Sequence, residues 1–184
     1  MSYKILGLDP GSLKFGYALT EFEGKSIGII SSGFIDLRKQ DDFFKRLSMI
    51  HNFFSDFVTS YSSDYSVSVE SLIHVKNVSS LAKLSQARGA ALCVLGSKGC
   101  SISEYAPNLV KSSVSGHGFA SKDSVAKSLS FLFPQHKFSS DDESDALALA
   151  LCHSLYRGKK ALGVSKSKKT SKNGNLKSSL KHLL

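Results

Sequence analysis

Acidic residues are absent from the last stretch of this chain of 184 residues. From Arg157 onward there are nine basic residues and none of opposite sign, while residues 1–156 hold 15 basic and 15 acidic ones. The body is formally neutral, so the C-terminal segment carries the whole net charge of +9. Cysteine is scarce: Cys93, Cys100 and Cys152 match neither a zinc spacing nor a disulfide framework. No His/Cys cluster offers a zinc site either. Free, buried thiols in a reducing cytoplasm are the expectation. No apolar run reaches the ~18 residues that would suggest a membrane-spanning helix. The N-terminus enters a strand-like pattern directly, so no signal peptide is expected. There is no internal repeat. One cytoplasmic domain over residues 1–157 remains, followed by a basic tail over 158–184 that is expected to be disordered. Such a tail adds nonspecific phosphate binding or serves only solubility.

The apolar patterning predicts an α/β fold. Residues 3–9 form a short buried strand, broken at Pro10-Gly11-Ser12. Phe15 to Phe22 and Ile27 to Leu37 make two further strands around a turn at Gly24-Lys25. These three strands suggest an antiparallel meander. Phe43, Leu47, Ile50, Phe54 and Phe57 recur every three or four residues, which predicts an amphipathic helix over 41–60 with Asp41 and Asp42 at its N-terminus. A strand over 65–70, a helix over 79–98 and a short strand over 101–105 follow. Pro107 opens a helix to about Val114. Ser121 caps another, which ends at Pro134. A last helix runs from near Asp142 to a C-cap near Gly158. Strands first, then alternation with helices, describe a sheet with an antiparallel corner and helices packed on it.

Four carboxylates stand at the ends of these elements. Asp9 ends the first strand, Glu70 ends the fourth, and Asp142 and Asp145 open the last helix on one face. A strand-end residue is fixed while its tip reaches the rim of the sheet. Two like charges about 4 Å apart repel by roughly 4 kcal/mol at an effective dielectric near 20. Hard divalent cations such as magnesium offset that cost and prefer oxygen ligands. Each acid alone has a plainer reading. Asp9-Pro10-Gly11 also makes an ordinary hairpin turn, and Asp142 and Asp145 also suit a helix N-terminus. Asp141 leaves the ligand open by one residue. Gly11 provides φ > 0 or a close backbone approach to a ligand.

Taken in order, LGLDPGSLKFGYAL, VESLIHVKN, SLAKLSQARGAAL, YAPNLVKSSVSGHGFASKDSV and DDESDALALAL resemble the RuvC family of bacterial Holliday junction resolvases over about residues 3–156. The resemblance implies an RNase H-like fold, with a five-stranded mixed sheet flanked by helices. It also implies a homodimer that cuts two strands symmetrically at a four-way DNA junction, with two magnesium ions per site and Mn2+ as a substitute. Partners implied are the junction itself and a branch-migration helicase complex of the RuvA and RuvB type. Asp9, Glu70, Asp142 and Asp145 match the family's four catalytic acids. By analogy with two-metal nucleases, Asp9 bridges the ions, Glu70 holds one, and Asp142 with Asp145 holds the other. Lys111 and Lys122 match lysines placed near the scissile DNA. Ile73, Lys76 and Asn77 are expected DNA contacts. Ile73 stands where the family often carries an aromatic residue, so it can wedge but not stack.

Two further segments bear on DNA and dimer. Gly116-His117-Gly118 is expected to follow the DNA backbone, with the next helix facing a phosphate through its N-terminus. His74 and His117 are expected to be solvated rather than metal ligands. Helix 79–98 has two apolar or small faces, Leu81, Leu84, Ala91 and Leu95 on one and Ala82, Ser85, Gly89 and Leu92 on the other. One is expected against the sheet and the second against a partner subunit; the alternative is a helix buried on both sides within the monomer. Competing readings are an actin-like ATPase or sugar kinase, an RNase H-like nuclease of RNA processing, and a non-catalytic junction binder. The first class needs two such domains, and this chain has one phosphate-type turn.

Overall fold

The computed structural model describes residues 2–62, 64–72, 77–116 and 121–157. Ile73, His74, Lys76, His117 and the basic segment 158–184 lie outside the described residues, as does the side chain of Lys122. Strands β1 (Ser2–Asp9), β2 (Lys14–Glu23) and β3 (Ser26–Asp36) form the expected antiparallel meander. β4 (Ser66–Glu70) joins the other side of β1 in parallel, and β5 (Ile102–Tyr105) adds in parallel to β4. The sheet order is β3-β2-β1-β4-β5. Helices α1 (Phe43–Tyr61), α2 (Val78–Ser97), α3 (Pro107–Ser115), α4 (Lys122–Leu132) and α5 (Asp141–Tyr156) complete the fold. This is a five-stranded mixed sheet between two helical layers, the RNase H-like arrangement implied by the sequence blocks.

Strand alternation sorts side chains into two cores. Leu6, Leu8, Phe15, Leu19, Val67 and Val69 face α1 and α2, where they meet Ile50, Phe54, Phe57 and Ala91. Each large apolar side chain buried there contributes about 1.5–3 kcal/mol. Phe15 and Phe54 meet edge to face, with ring centroids 5.3 Å apart. On the other side, Ile5 and Ala18 meet α5, with Val110 of α3 and Leu129 of α4 filling the flanks.

α5 is buried on nearly all sides: every residue from Ala146 to His153 is buried. It reaches that depth because the strands under it carry glycine. A Cβ built on Gly7 would lie 1.9 Å from the Ala146 carbonyl oxygen, and one on Gly16 would lie 2.0 Å from that of Asp142.

Polar side chains close the helix ends as the sequence suggested. Asp42 accepts from the backbone N–H groups of Phe44 and Lys45, and Ser121 from that of Ser124. Four expectations need correction. Cys93 is exposed, while Cys100 and Cys152 are buried as expected. α2 buries Ala87, Ala91, Val94 and Leu95, while Leu81 and Leu84 are only half-buried. The inward face is therefore rotated and lies in the C-terminal half of the helix. Gly11 is not among the described glycines with positive φ; its constraint is space, since a Cβ there would sit 2.1 Å from the Lys14 carbonyl oxygen. α5 starts at Asp141, capped by Ser140, and its C-cap is Arg157 rather than Gly158.

Candidate active site

Asp9 and Glu70 end adjacent parallel strands. The β1–β4 register pairs Gly7 with Ser68 and Leu8 with Val69, so the next pair outward is Asp9 with Glu70. Alternation puts both on the α5 side, in line with Gly7 and Ser68. Ser71 holds the end of β4 in place: its N–H and its hydroxyl both donate to the Tyr105 carbonyl oxygen, at 2.9 and 3.2 Å. The Tyr105 hydroxyl in turn meets Nδ1 of buried His153 at 2.7 Å, which links β5 to α5. Burial, with Arg157 nearby, keeps the His153 imidazole pKa below its ordinary value. It raises that of the Tyr105 phenol, an effect strengthened by Cys152 and opposed by Ser103.

The first turn of α5 brings the remaining acids to the same place. Asp145 lines a cleft of about 310 Å³ together with Asp9, Glu70, Lys111 and Val125. Asp142 does not line that cleft. It lies over Gly16, the ladder partner of Asp9, with its own Cβ 3.0 Å from where a Gly16 Cβ would stand. Asp142 is half-buried and Asp141 exposed, which favours Asp142 as the inward acid. A second cleft, of about 100 Å³, opens on the other flank of Asp9 and Glu70, between Leu72, Leu84 and Arg88. Among the described residues, no group of three or more His, Cys, Asp or Glu side chains forms a ready metal cage. The backbone gathers the carboxylates at one rim of the sheet.

Of the expected DNA contacts, Lys111 is in the cleft. Asn77 caps α2, its side chain accepting from Ser80 N–H at 3.1 Å. Lys122 opens α4.

Three residues near the site were not anticipated. Lys14 Nζ lies 3.9 Å from an Asp142 carboxylate oxygen and over the Phe34 ring. Arg88 donates to Glu104 at 2.5 Å, while its Nε is buried with no hydrogen-bond partner among the described residues. Glu143, 2% exposed, is a buried acid beside Asp142. Burial raises the Glu143 carboxyl pKa, but hydrogen bonds from Ser139, Ser32 and His136 outweigh it and hold the group below its ordinary value. The one sequence signal for Glu143 is the S-x-x-E spacing from Ser140, the mark of a capping box.

The chain resembles known proteins along most of its length. A family model described as crossover junction endodeoxyribonuclease RuvC matches residues 5–153. Crossover junction endodeoxyribonuclease RuvC of Rhizobium johnstonii is 36% identical over 155 residues, covering 84% of this chain and 91% of that protein. A Thermus thermophilus RuvC structure is 26% identical with a TM-score of 0.73, covering 85% of this chain and 95% of the other. The structure of T. thermophilus RuvC in complex with Holliday junction substrate shares the fold at a TM-score of 0.76 and 24% identity, over 84% and 94% of the two chains. With the fold, the rim of acids and these likenesses in agreement, the chain belongs to the RuvC family of crossover junction endodeoxyribonucleases.

Proposed function

We propose that this protein is a metal-dependent endonuclease that resolves four-way DNA junctions by paired, symmetric strand cuts in recombination and repair. The observation that carries the reading is the cleft shared by Asp9, Glu70, Asp145 and Lys111, with Asp142 beside it. The donor set is all oxygen, which fits a hard divalent cation. Asp9, Glu70, Asp142 and Asp145 would hold two magnesium ions, for which Mn2+ substitutes. When bound, such ions activate water and stabilise the charge on the attacked phosphate and the leaving 3′-oxygen. The chain itself positions the ligands and supplies cationic side chains at the phosphate. No helix among the described residues is long and apolar enough to cross a membrane. The reading places the enzyme in the cytoplasm, with DNA and a branch-migration helicase of the RuvA and RuvB type.

A junction with two-fold symmetry calls for two equivalent sites, and a two-fold dimer supplies them. The open side of α2 suits this role. Gly89 is exposed with nothing within 4 Å of an added Cβ, and Val78 is 76% exposed. The test is incubation with synthetic four-way junctions and linear duplex, with and without magnesium, alongside sedimentation. The expected result is a dimer that makes paired cuts in junctions only, and only with the metal. Equal cutting of duplex, or a monomer making symmetric cuts, would overturn the corresponding part.

Lys111→Ala and Lys122→Ala are expected to slow cleavage by about 100-fold each, the scale of a missing transition-state donor. Junction affinity should change little, because positive charge here acts most strongly on the transition state. Single-turnover rates and equilibrium binding separate the two effects; equal losses in both would make these lysines simple backbone contacts.

The basic segment is proposed to bind DNA phosphates without reading shape. Deleting residues 158–184 removes eight lysines. Every phosphate that the shortened chain leaves unneutralised makes the slope of log affinity against log salt shallower by about 0.9, and a partial engagement predicts a change of roughly 2–4. Cleavage at low salt should survive, since every proposed ligand precedes residue 146. An unchanged slope would show that the segment does not touch DNA.

A further inference from the structure

Glu143 is a carboxylate that the proposed chemistry does not use, and it is as well bonded as a carboxylate can be. One oxygen meets Ser32 Oγ at 2.6 Å and His136 Nε2 at 2.9 Å. The other accepts from the Ser139 N–H at 2.7 Å and the Ser139 hydroxyl at 2.5 Å. Four acceptor sites are thereby filled, the full capacity of the group. Its own N–H donates to the capping Ser140 at 3.2 Å. In an ordinary capping box the glutamate returns to the N–H of the cap residue. Here it reaches past Ser140 to Ser139, and sideways to strand β3.

The partners come from separate parts of the fold. Ser32 lies on β3, two strands from Asp9 in the sheet order. His136 and Ser139 lie in the connection between α4 and α5. On its other side the same turn rests against Gly16 of β2 through the Asp142 carbonyl. The first turn of α5 is thus held at two points, the Gly16 contact and the Glu143 network. Two such contacts fix the rotation of the turn about its axis and its height above the sheet. Asp142 makes the first of these contacts itself and is adjacent in sequence to the residue that makes the second, so its position follows from both.

We propose that Glu143 is a positioning residue: with Ser32, His136 and Ser139 it sets where Asp142 stands relative to Asp9, and so how tightly the acids hold divalent cations. The proposal rests on the metal-site reading above. It assigns Glu143 no contact with metal or DNA.

The test reads metal binding directly, by electron paramagnetic resonance of Mn2+ titrated into the full-length protein without DNA. Glu143→Ala should weaken Mn2+ binding by about tenfold, the lower end of what removal of a supporting partner costs a metal site. Ser32→Ala and Ser139→Ala each remove one bond and should weaken it by a smaller factor. They carry the test if Glu143→Ala fails to fold. Ile50→Val, in the opposite core, serves as a variant with a destabilised fold and should bind Mn2+ as the parent does. Unchanged Mn2+ binding in the network variants, with melting temperatures lowered as in Ile50→Val, would reduce the network to a stabilising contact and overturn the proposal. Asp142→Asn distinguishes the two levels. If it too binds Mn2+ normally, the metal-site reading fails at Asp142. If it loses binding while the network variants do not, only the positioning role fails.

Discussion

Asp9→Asn is expected to bind four-way junctions at least as well as the parent protein and to cut them about 1000-fold more slowly, a loss of roughly 4 kcal/mol of transition-state stabilisation. Asp9 occupies the end of the central strand β1, beside Glu70 and bordering both clefts. The amide keeps the size of the side chain and removes its charge. A ligand is weakened, so the rate falls; a negative charge facing DNA phosphate is removed, so binding does not. Glu70→Gln, Asp142→Asn and Asp145→Asn should follow the same pattern. The measurement is the single-turnover cleavage rate at saturating protein beside a binding isotherm in metal-free buffer. A variant that cuts at near the parental rate removes its residue from the site. Retained cutting by Asp142→Asn, with loss in Asp141→Asn, would move the ligand by one position.

Gly16→Ala and Gly7→Ala should each cost both stability and cleavage. The added methyl group would meet backbone atoms of α5 at 2.0 and 1.9 Å. No side chain can rotate away to relieve that overlap, so the helix or the strand must move. Overpacking of this kind costs about 1–3 kcal/mol and sometimes more, which for a domain of this size lowers the melting temperature by roughly 5 °C. The larger effect is on catalysis, because lifting α5 lifts Asp142 and Asp145 away from Asp9 and Glu70. Gly28→Ala is the internal comparison: nothing lies within 4 Å of its added Cβ, and it should behave as the parent does. Thermal melts and cleavage rates on the three variants decide it. Near-parental activity in Gly16→Ala would mean that the contact between helix and sheet does not control the geometry of the acids.

Much of this architecture was legible in the chain, for a physical reason. β1, β4 and α1 are set by local apolar periodicity, and their observed bounds agree with the pattern to within about two residues. The acids are legible as residues at element ends: Asp9 and Glu70 stand where a strand stops, Asp142 and Asp145 where a helix starts. What was not legible depends on long-range contact. Glu143 reads locally as the third of three acids, and the partner that defines it, Ser32, is 111 positions away. Lys14 is one basic residue among 24 until the fold brings it to Asp142. The inward face of α2 is only half legible: Ala91 and Leu95 are buried as expected, but its Leu and Ala residues permit several stripes, and packing selects the one that adds Ala87 and Val94. Gly7 carries only a generic signal, since a glycine inside a strand marks close backbone approach without naming what approaches.

The burial of α5 also governs how the enzyme would fail. Amide groups from Ala146 to His153 are shielded by the sheet on one side and by α3 and α4 on others. Hydrogens so placed exchange with solvent only when the whole domain opens, whereas surface helices exchange through local fraying. The acids on its first turn are thus carried by one of the last segments to come apart. Deuterium uptake along α5 and the loss of cleavage should therefore rise together with denaturant, with no partly opened, inactive form preceding global unfolding.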